Sequence, residues 1–219
     1  VLFQALVHFG VEKTLKIIEG MFAFALWDRL ESTLYLARDA IGEKPLYWGW
    51  LDQQGQPVLV FASELAAIRA HPGFNNSVDR SVLTQFLRFG CISAPNSIYT
   101  NIQQLKPGFI VDICSPFFTQ TLQPRPWWSL TSLIADSHAS PITDKHEAVD
   151  SIENALISSV NSQTLSDVPL GSFLSGGIDS SLITALLQSI SSKPVRTFAL
   201  GYEEPEFNET PYANSVARF

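Results

Sequence analysis

One short stretch carries most of the chemistry that this sequence offers. Residues 173–182 read FLSGGIDSSL, with small residues and one aspartate behind an apolar run. Gly176 and Gly177 let the backbone curl and let an anion approach without a Cβ in the way. The hydroxyls that can add donors are those of Ser175, Ser180 and Ser181. Successive N–H groups of such a turn form a concave nest, so the stretch predicts a site for phosphate oxygens. The alternative for the glycines is a tight turn that binds no ligand.

The loop differs from the two common phosphate-binding motifs. A Walker loop needs G-x-x-x-x-G-K-[ST] and the dinucleotide fingerprint needs G-x-G-x-x-G; this stretch has no lysine and neither spacing. Its carboxylate, Asp179, would repel a phosphate unless a cation lay between them. Because Mg²⁺ takes one or two carboxylates together with phosphate oxygens, we predict Asp179 as a Mg²⁺ ligand. The alternative role for Asp179 is to cap the following helix.

Two strands and a helix must position this loop. The sequence predicts a strand at 168–174, a helix at 180–190 and a second strand at 193–202. That order and length are typical of a βαβ unit with parallel strands. Ligands of such sheets bind at the carboxyl ends of the strands, where the start of the helix also offers unpaired N–H groups.

The first half of the chain is predicted to be antiparallel sheet. Apolar runs joined by short polar turns are typical of hairpins. The predicted strands lie at 20–28, 34–39, 44–50 and 58–63, with strand-like pieces in SIYTNIQQL and GFIVDI. Helices are predicted at 63–73 and 78–90. Strands with helices packed over them favour an α+β arrangement.

A change in composition separates two predicted domains. Residues 115–144 are rich in proline, serine and threonine, which indicates a linker. Trp127 and Trp128 within it are expected to pack back onto a domain. The predicted domains are therefore 1–114 and 145–219, the second opening with a helix whose apolar residues follow helical spacing.

Bulk composition excludes several classes of protein. The net charge of −7 argues against a nucleic-acid binder, which needs a basic face. No stretch approaches the roughly 20 apolar residues of a membrane helix. Cys91 and Cys114 are far apart in sequence and are interpreted as unpaired thiols in a reducing, cytoplasmic compartment. The histidines, all expected at the surface, are His8, His71, His138 and His146.

Several motifs in order resemble a known family. SGGIDSS after an apolar strand resembles the pyrophosphate loop of N-type ATP pyrophosphatases. Other segments follow one another as in the bacterial type of glutamine-hydrolysing asparagine synthetase. They are GMFAFALWD, ARDAIGEKPLYWGW, FASELAAI, FGCISAPNSIYTNIQQLKPG, DVPLGSFLSGGIDSSL and GYEEPEFNETPYANSVA. The resemblance covers nearly the whole chain.

The resemblance implies a fold and two coupled reactions. The fold would be an α+β antiparallel-sheet sandwich of the Ntn glutaminase type, here incomplete, followed by an incomplete α/β parallel-sheet ATP pyrophosphatase domain. The first reaction releases ammonia from glutamine. The second uses ATP and Mg²⁺ to adenylate the side-chain carboxylate of aspartate, and ammonia then displaces AMP. A homodimer is a further expectation.

The resemblance also assigns positions to the nucleotide site. The loop residues that match the pyrophosphate loop are Ser175, Gly176, Gly177, Asp179, Ser180 and Ser181. Phe173 matches a position whose backbone lies by the nucleotide, and Leu200 a strand end that packs near adenine. For both, the alternative is a core residue. Lys44 and Glu64 are interpreted as packing or interface residues.

The sequence also departs from the family pattern. The family nucleophile is an N-terminal cysteine, and neither Cys91 nor Cys114 matches it. No glutaminase catalytic residue is therefore assigned, and the chain alone is expected to be inactive, as an internal piece of a longer enzyme. Two alternatives stay open: a related ligase that forms a β-lactam or cyclises a peptide, and a non-catalytic nucleotide-binding homologue.

Overall fold

A computed structural model describes residues 1–114 and 122–219 of the chain. They belong to two compact units, Val1–Ser137 and His138–Phe219. Within the described ranges, no helix combines the length and apolar character that crossing a membrane requires.

The first unit contains three α-helices, one turn of 3-10 helix (Arg80–Val82), seven strands and the start of a fourth α-helix, counted over its described residues. The helices are α1 (Leu2–Ile17), α2 (Leu65–Arg69), α3 (Leu83–Phe89) and α4 (Leu130–Ala139), the last of which contains the division between the units. The strands are β1 (Ala23–Asp28), β2 (Thr33–Arg38), β3 (Tyr47–Gln53), β4 (Gln56–Ala62), β5 (Ile102–Gln104), β6 (Phe109–Cys114) and β7 (Arg125–Pro126). The predicted hairpins β1–β2 and β3–β4 are confirmed, and both are antiparallel.

The strands form two antiparallel sheets. The order is β1-β2-β6-β7 in one sheet and β4-β3-β5 in the other. Gly49 pairs with Ile102, and a Cβ at position 49 would lie 2.0 Å from the carbonyl oxygen of Asn101. Only glycine allows β3 and β5 to approach this closely.

Three apolar clusters place the sheets between helices. Alternate residues of β2 separate to opposite faces, as strand geometry requires: Leu36 packs with Trp48 of the second sheet, whereas Ala37 packs with Leu15 of α1. On the outer face of the second sheet, Leu51 packs with Ile68 of α2 and with Ile102. The layers therefore run α1, first sheet, second sheet, α2.

A buried charged pair fixes the loop after β2. The Arg38 guanidinium donates to the carbonyl oxygens of Gly42, Lys44 and Leu105 over 2.6–2.8 Å. The Asp39 carboxylate accepts from the N–H groups of Gly42, Glu43 and Lys44 over 2.6–3.0 Å. The two side chains are 6% and 1% exposed, so each buried charge is satisfied by main-chain groups rather than left unpaired. Lys44 thus contributes its backbone to this turn.

The predicted linker is partly ordered structure. Residues 115–121 lie outside the described part of the chain. Arg125 pairs with Ile110 in the β6–β7 ladder, and its guanidinium donates to the Asp112 carboxylate at 3.0 Å and forms an ion pair with Glu12 of α1. Trp127 stacks on Phe22 and donates its Nε1–H to the Arg38 carbonyl oxygen at 3.0 Å. The expectation that Trp127 packs back onto a domain is confirmed.

The second unit contains the predicted strand–helix–strand order. Its elements are α5 (Lys145–Ser162), β8 (Gly171–Phe173), α6 (Ile178–Ile190), β9 (Arg196–Phe198) and α7 (Thr210–Val216). Strands β8 and β9 pair in parallel, with Ser172 opposite Thr197. Helix α6 begins at Ile178, earlier than the predicted start at 180, and this places Asp179 inside its first turn.

Several sequence-based expectations need correction. Helix α1 was not predicted; Gly10, with φ of +75°, interrupts it, and apolar side chains such as Phe3 and Val7 are exposed on it. SIYTNIQQL was predicted to be a strand, but only Ile102–Gln104 is one. His8, His138 and His146 are exposed as expected, whereas His71 is half-buried and accepts the Gly73 N–H on Nδ1.

Candidate functional site

The loop predicted to bind phosphate connects β8 to α6. Leu174, the residue before the loop, is buried, and its N–H donates to the Phe198 carbonyl oxygen at 2.9 Å. This bond fixes the chain at the carboxyl ends of the two parallel strands immediately before it turns. The loop therefore lies at the sheet edge where open α/β sheets bind ligands.

Gly176 gives the loop its turn. Its φ is +85°, in the left-handed region that L side chains rarely adopt. A Cβ there would lie 2.5 Å from the Cβ of Tyr212 and 2.7 Å from the Tyr212 carbonyl carbon. The loop backbone thus packs directly on α7, which leaves no room for a larger residue.

Hydroxyl groups tie the two ends of the loop together. Ser175 Oγ and Ser180 Oγ are 2.9 Å apart, and the Ser175 N–H donates to Ser180 Oγ at 3.2 Å. The Gly177 N–H donates to Ser175 Oγ, and Ser180 Oγ donates to the Gly177 carbonyl oxygen, both at 3.3 Å. Ser175 and Ser180 were predicted to add donors for a ligand; here their hydroxyls brace the loop.

Four backbone N–H groups of the loop have no acceptor among the described residues. They belong to Gly176, Ile178, Asp179 and Ser180. Three are the first N–H groups of α6, at the positive end of its dipole. Helix α6 has 13 residues, and Gly177 caps it without a side-chain bond. Such donors suit the oxygens of an anion.

Asp179 presents a free carboxylate beside these donors. It is exposed, and its carboxylate is not among the hydrogen-bonded or ion-paired groups of the described residues. The alternative role, capping α6, is therefore not the one adopted. No group of three or more His, Cys, Asp or Glu residues in the described ranges could hold a metal alone. Asp179 fits Mg²⁺ only as one protein ligand that completes its shell with phosphate and water oxygens.

The remaining predicted site residues differ in exposure. Phe173 and Leu200 are 82% and 71% exposed, so neither is a core residue of this unit. Phe173 ends β8 and Leu200 follows β9, at the same edge as the loop. Ser181 Oγ is buried and has no hydrogen-bond partner among the described residues.

Three residues near the loop were not predicted. Tyr212 contacts Gly176, and Ser172 and Thr184 bond to each other beneath the loop at 2.9 Å. A polar residue in an otherwise apolar strand was the available signal for Ser172. A separate cavity of about 260 Å³ lies between α5, β8 and α6, and its lining includes Leu156, Gly171 and Ile183 but none of the loop residues.

Two families of known proteins match the chain. Residues 1–128 match the family described as "Glutamine amidotransferase domain". The chain belongs to the glutamine amidotransferase family. The antiparallel sheets of its first unit, covered by helices, are consistent with a glutaminase-type domain. Residues 151–219 match a second family, described as "Asparagine synthase", and that range contains the loop.

Similar proteins match the chain over most of its length. This amidotransferase chain is 31% identical to asparagine synthetase [glutamine-hydrolyzing] 1 of Bacillus subtilis over 96% of its own length and 31% of that protein. It is 33% identical to asparagine synthetase [glutamine-hydrolyzing] 3 of the same organism, over 85% of the chain and 29% of the relative. A putative asparagine synthetase of Mycobacterium tuberculosis is 33% identical over 96% of the chain and 31% of the relative. The chain thus spans about three tenths of the length of these relatives.

Proposed function

We propose that this chain is part of a glutamine-dependent asparagine synthetase. In the proposed reaction, ATP adenylates the side-chain carboxylate of aspartate with release of pyrophosphate. Ammonia from glutamine then displaces AMP, so the products are asparagine, AMP, pyrophosphate and glutamate. The match of residues 1–128 and 151–219 to the two corresponding families supports the proposal.

The observation that carries the proposal is the set of unpaired N–H groups at the start of α6. Adenylation makes pyrophosphate a leaving group, and negative charge on its oxygens grows in the transition state. Donors that already point at that charge lower the barrier, because they need no reorganisation. Gly176, Ile178, Asp179 and Ser180 supply these N–H groups in our proposal, while the bond between Ser175 and Ser180 keeps the loop in shape.

Asp179 and the two exposed apolar residues have separate roles in the proposal. Mg²⁺ would supply charge neutralisation on the phosphate oxygens, and Asp179 is the residue that would hold it. Phe173 would place its backbone along the nucleotide, and Leu200 would contact adenine. Both residues lie at the edge of the β8–β9 pair, on the side of the loop.

We further propose that the first unit belongs to the ammonia-releasing part of the enzyme. Cys91 is exposed, and Cys114 on β6 accepts the Thr33 hydroxyl at 3.4 Å. Neither cysteine is assigned as the nucleophile. The chain of 219 residues is accordingly proposed to lack glutaminase activity by itself.

Isotope exchange between pyrophosphate and ATP in the complete protein tests the adenylation step. We expect exchange that depends on aspartate among a panel of carboxylic acids. Exchange with a different acid would instead identify a related ligase. Absence of exchange with every acid, in protein that still binds ATP, would contradict the proposal and favour a non-catalytic nucleotide-binding homologue.

A further inference from the structure

We propose that Ser172 and Thr184 are positioning residues that hold the first turn of α6 in the geometry that binds pyrophosphate. This inference rests on the proposed function for its ligand. The geometry of the hydroxyl chain itself is independent of that function. Neither residue is part of the SGGIDSS stretch, and both lie beneath it, on β8 and on the second turn of α6.

The bonds have a direction that the proton count fixes. Thr184 Oγ1 donates to the Ser180 carbonyl oxygen at 2.8 Å. Since a threonine hydroxyl carries one proton, Ser172 is the donor in the 2.9 Å contact between Ser172 Oγ and Thr184 Oγ1. This contact is shorter than the competing one, in which Ser172 Oγ lies 3.4 Å from the Phe173 carbonyl oxygen. The chain runs from Ser172 through Thr184 to Ser180, that is, from the strand to the first turn of the helix.

Ser180 is the residue on which the loop depends. Its Oγ accepts from the Ser175 N–H and contacts Ser175 Oγ. Its own N–H is one of the unpaired donors, and its carbonyl oxygen receives the Thr184 bond. A shift of the Ser180 carbonyl group would therefore change the hydrogen bonds at both ends of the loop.

Packing alone does not account for these hydroxyls. Ser172 is 8% exposed, and the buried apolar residues of the same unit include Leu174 and Leu186. Two apolar side chains of the same shape could replace Ser172 and Thr184 between β8 and α6 at little cost in stability. They would leave the Ser180 carbonyl without its link to the strand. The hydroxyl pair is therefore assigned to the placement of the loop.

Two matched variants separate positioning from packing. Thr184→Val removes the hydroxyl and keeps the shape, whereas Thr184→Ser keeps the hydroxyl. Thr164→Val is the control, because Thr164 Oγ1 also donates to a backbone carbonyl, that of Asn161 at 2.8 Å, and is no part of the hydroxyl chain. Ser172→Ala tests the other end of the chain.

Amide hydrogen exchange gives the first readout without any ligand. The N–H groups of Ser175 and Ser181 are bonded within the loop. We expect Thr184→Val and Ser172→Ala to speed exchange at these two amides about three- to tenfold, the equivalent of one hydrogen bond. Thr184→Ser and Thr164→Val should leave the exchange rates of both amides unchanged. The amide of Leu186 should exchange at the same rate in every variant. Equal exchange at Ser175 in Thr184→Val and Thr184→Ser would overturn the proposal.

Calorimetric titration with inorganic pyrophosphate and Mg²⁺ gives the second readout. We expect Thr184→Val to raise the Kd about three- to tenfold, with Thr184→Ser close to wild type. Equal Kd values for the two variants would overturn the link to the ligand. A wild-type chain that binds no pyrophosphate would contradict the proposed function, and the exchange rates would still decide the role of Ser172 and Thr184.

Discussion

Gly176 and Tyr212 are packed backbone against backbone, so that a Cβ at position 176 would lie 2.5 Å from the Tyr212 Cβ. The contact joins the loop to α7 and holds Gly176 at a φ of +85°. The position and direction of the loop N–H groups therefore depend on a helix that contributes no side chain to the loop's own hydrogen bonds.

Gly176→Ala is expected to destabilise the second unit and to abolish pyrophosphate binding. The left-handed conformation costs a non-glycine residue about 1–3 kcal/mol, and the steric conflict with Tyr212 adds about 1–3 kcal/mol. Gly55→Ala is the matched control, since Gly55 has a φ of +83° but nothing within 4 Å of its added Cβ. Urea unfolding measures the loss of unfolding free energy in both variants. Equal losses would contradict the contact between Gly176 and Tyr212.

Asp179→Asn should weaken binding of Mg²⁺-pyrophosphate at least about tenfold, because Mg²⁺ prefers charged carboxylate oxygens. Without Mg²⁺, the same variant should bind pyrophosphate no worse than wild type, since a negative charge next to the anion has been removed. Asp150→Asn, on the exposed surface of α5, serves as the control. Titrations with and without the metal check this; an unchanged Mg²⁺ dependence would remove Asp179 from the site.

Asp39→Asn is expected to flatten the dependence of stability on pH. Burial raises the pKa of Asp39, but N–H groups of Lys44, Glu43 and Gly42 lower it, and the resulting pKa is below its ordinary value of 3.8. A carboxylate with a lowered folded-state pKa stabilises the fold above the unfolded-state value and loses that contribution as the pH falls through the folded-state pKa. Urea unfolding measures the free energy of unfolding at each pH. Between about pH 5 and about pH 2, this free energy should fall more steeply with pH for wild type than for the variant.

The matched control for that series is Asp136→Asn, at an exposed position of α4. It should retain the wild-type pH profile. A profile for Asp39→Asn that is as steep as the control's would show that other carboxylates cause the acid sensitivity.

Trp127→Phe should lower the unfolding free energy of the first unit by about 1–3 kcal/mol, since it leaves the Arg38 carbonyl oxygen without the indole donor. Phenylalanine can retain the stacking with Phe22. Trp128→Phe is the comparison, because the Trp128 indole donates to none of the residues in the described ranges. In denaturant unfolding, the free energies of unfolding of the two variants should differ by at least half of the loss expected for Trp127→Phe. Equal free energies would assign Trp127 to packing alone.

The parts of the fold that local pattern determines were predictable from sequence. The alternation of Leu36 and Ala37 between two cores follows from strand geometry, and the parallel pairing of β8 and β9 follows from the strand–helix–strand order. Helix α1 was missed because exposed Phe3 and Val7 obscure its apolar face and Gly10 interrupts it.

The candidate site was predictable only in part, because some of its contacts join residues that are distant in sequence. Glycine and serine in SGGIDSS indicated a backbone nest, but not that Ser175 and Ser180 bond to each other. Tyr212 is distant in sequence from Gly176, and nothing local indicates that α7 supports the loop. The contact arises only when the chain folds.

Assigned amide spectra during titration with pyrophosphate and Mg²⁺ test the central claim most directly. We predict saturable shifts of the backbone N–H signals of Gly176, Ile178, Asp179 and Ser180, with much smaller shifts in α5. Saturable binding that moves other amides and leaves these four unchanged would contradict the claim that the start of α6 binds the phosphate chain.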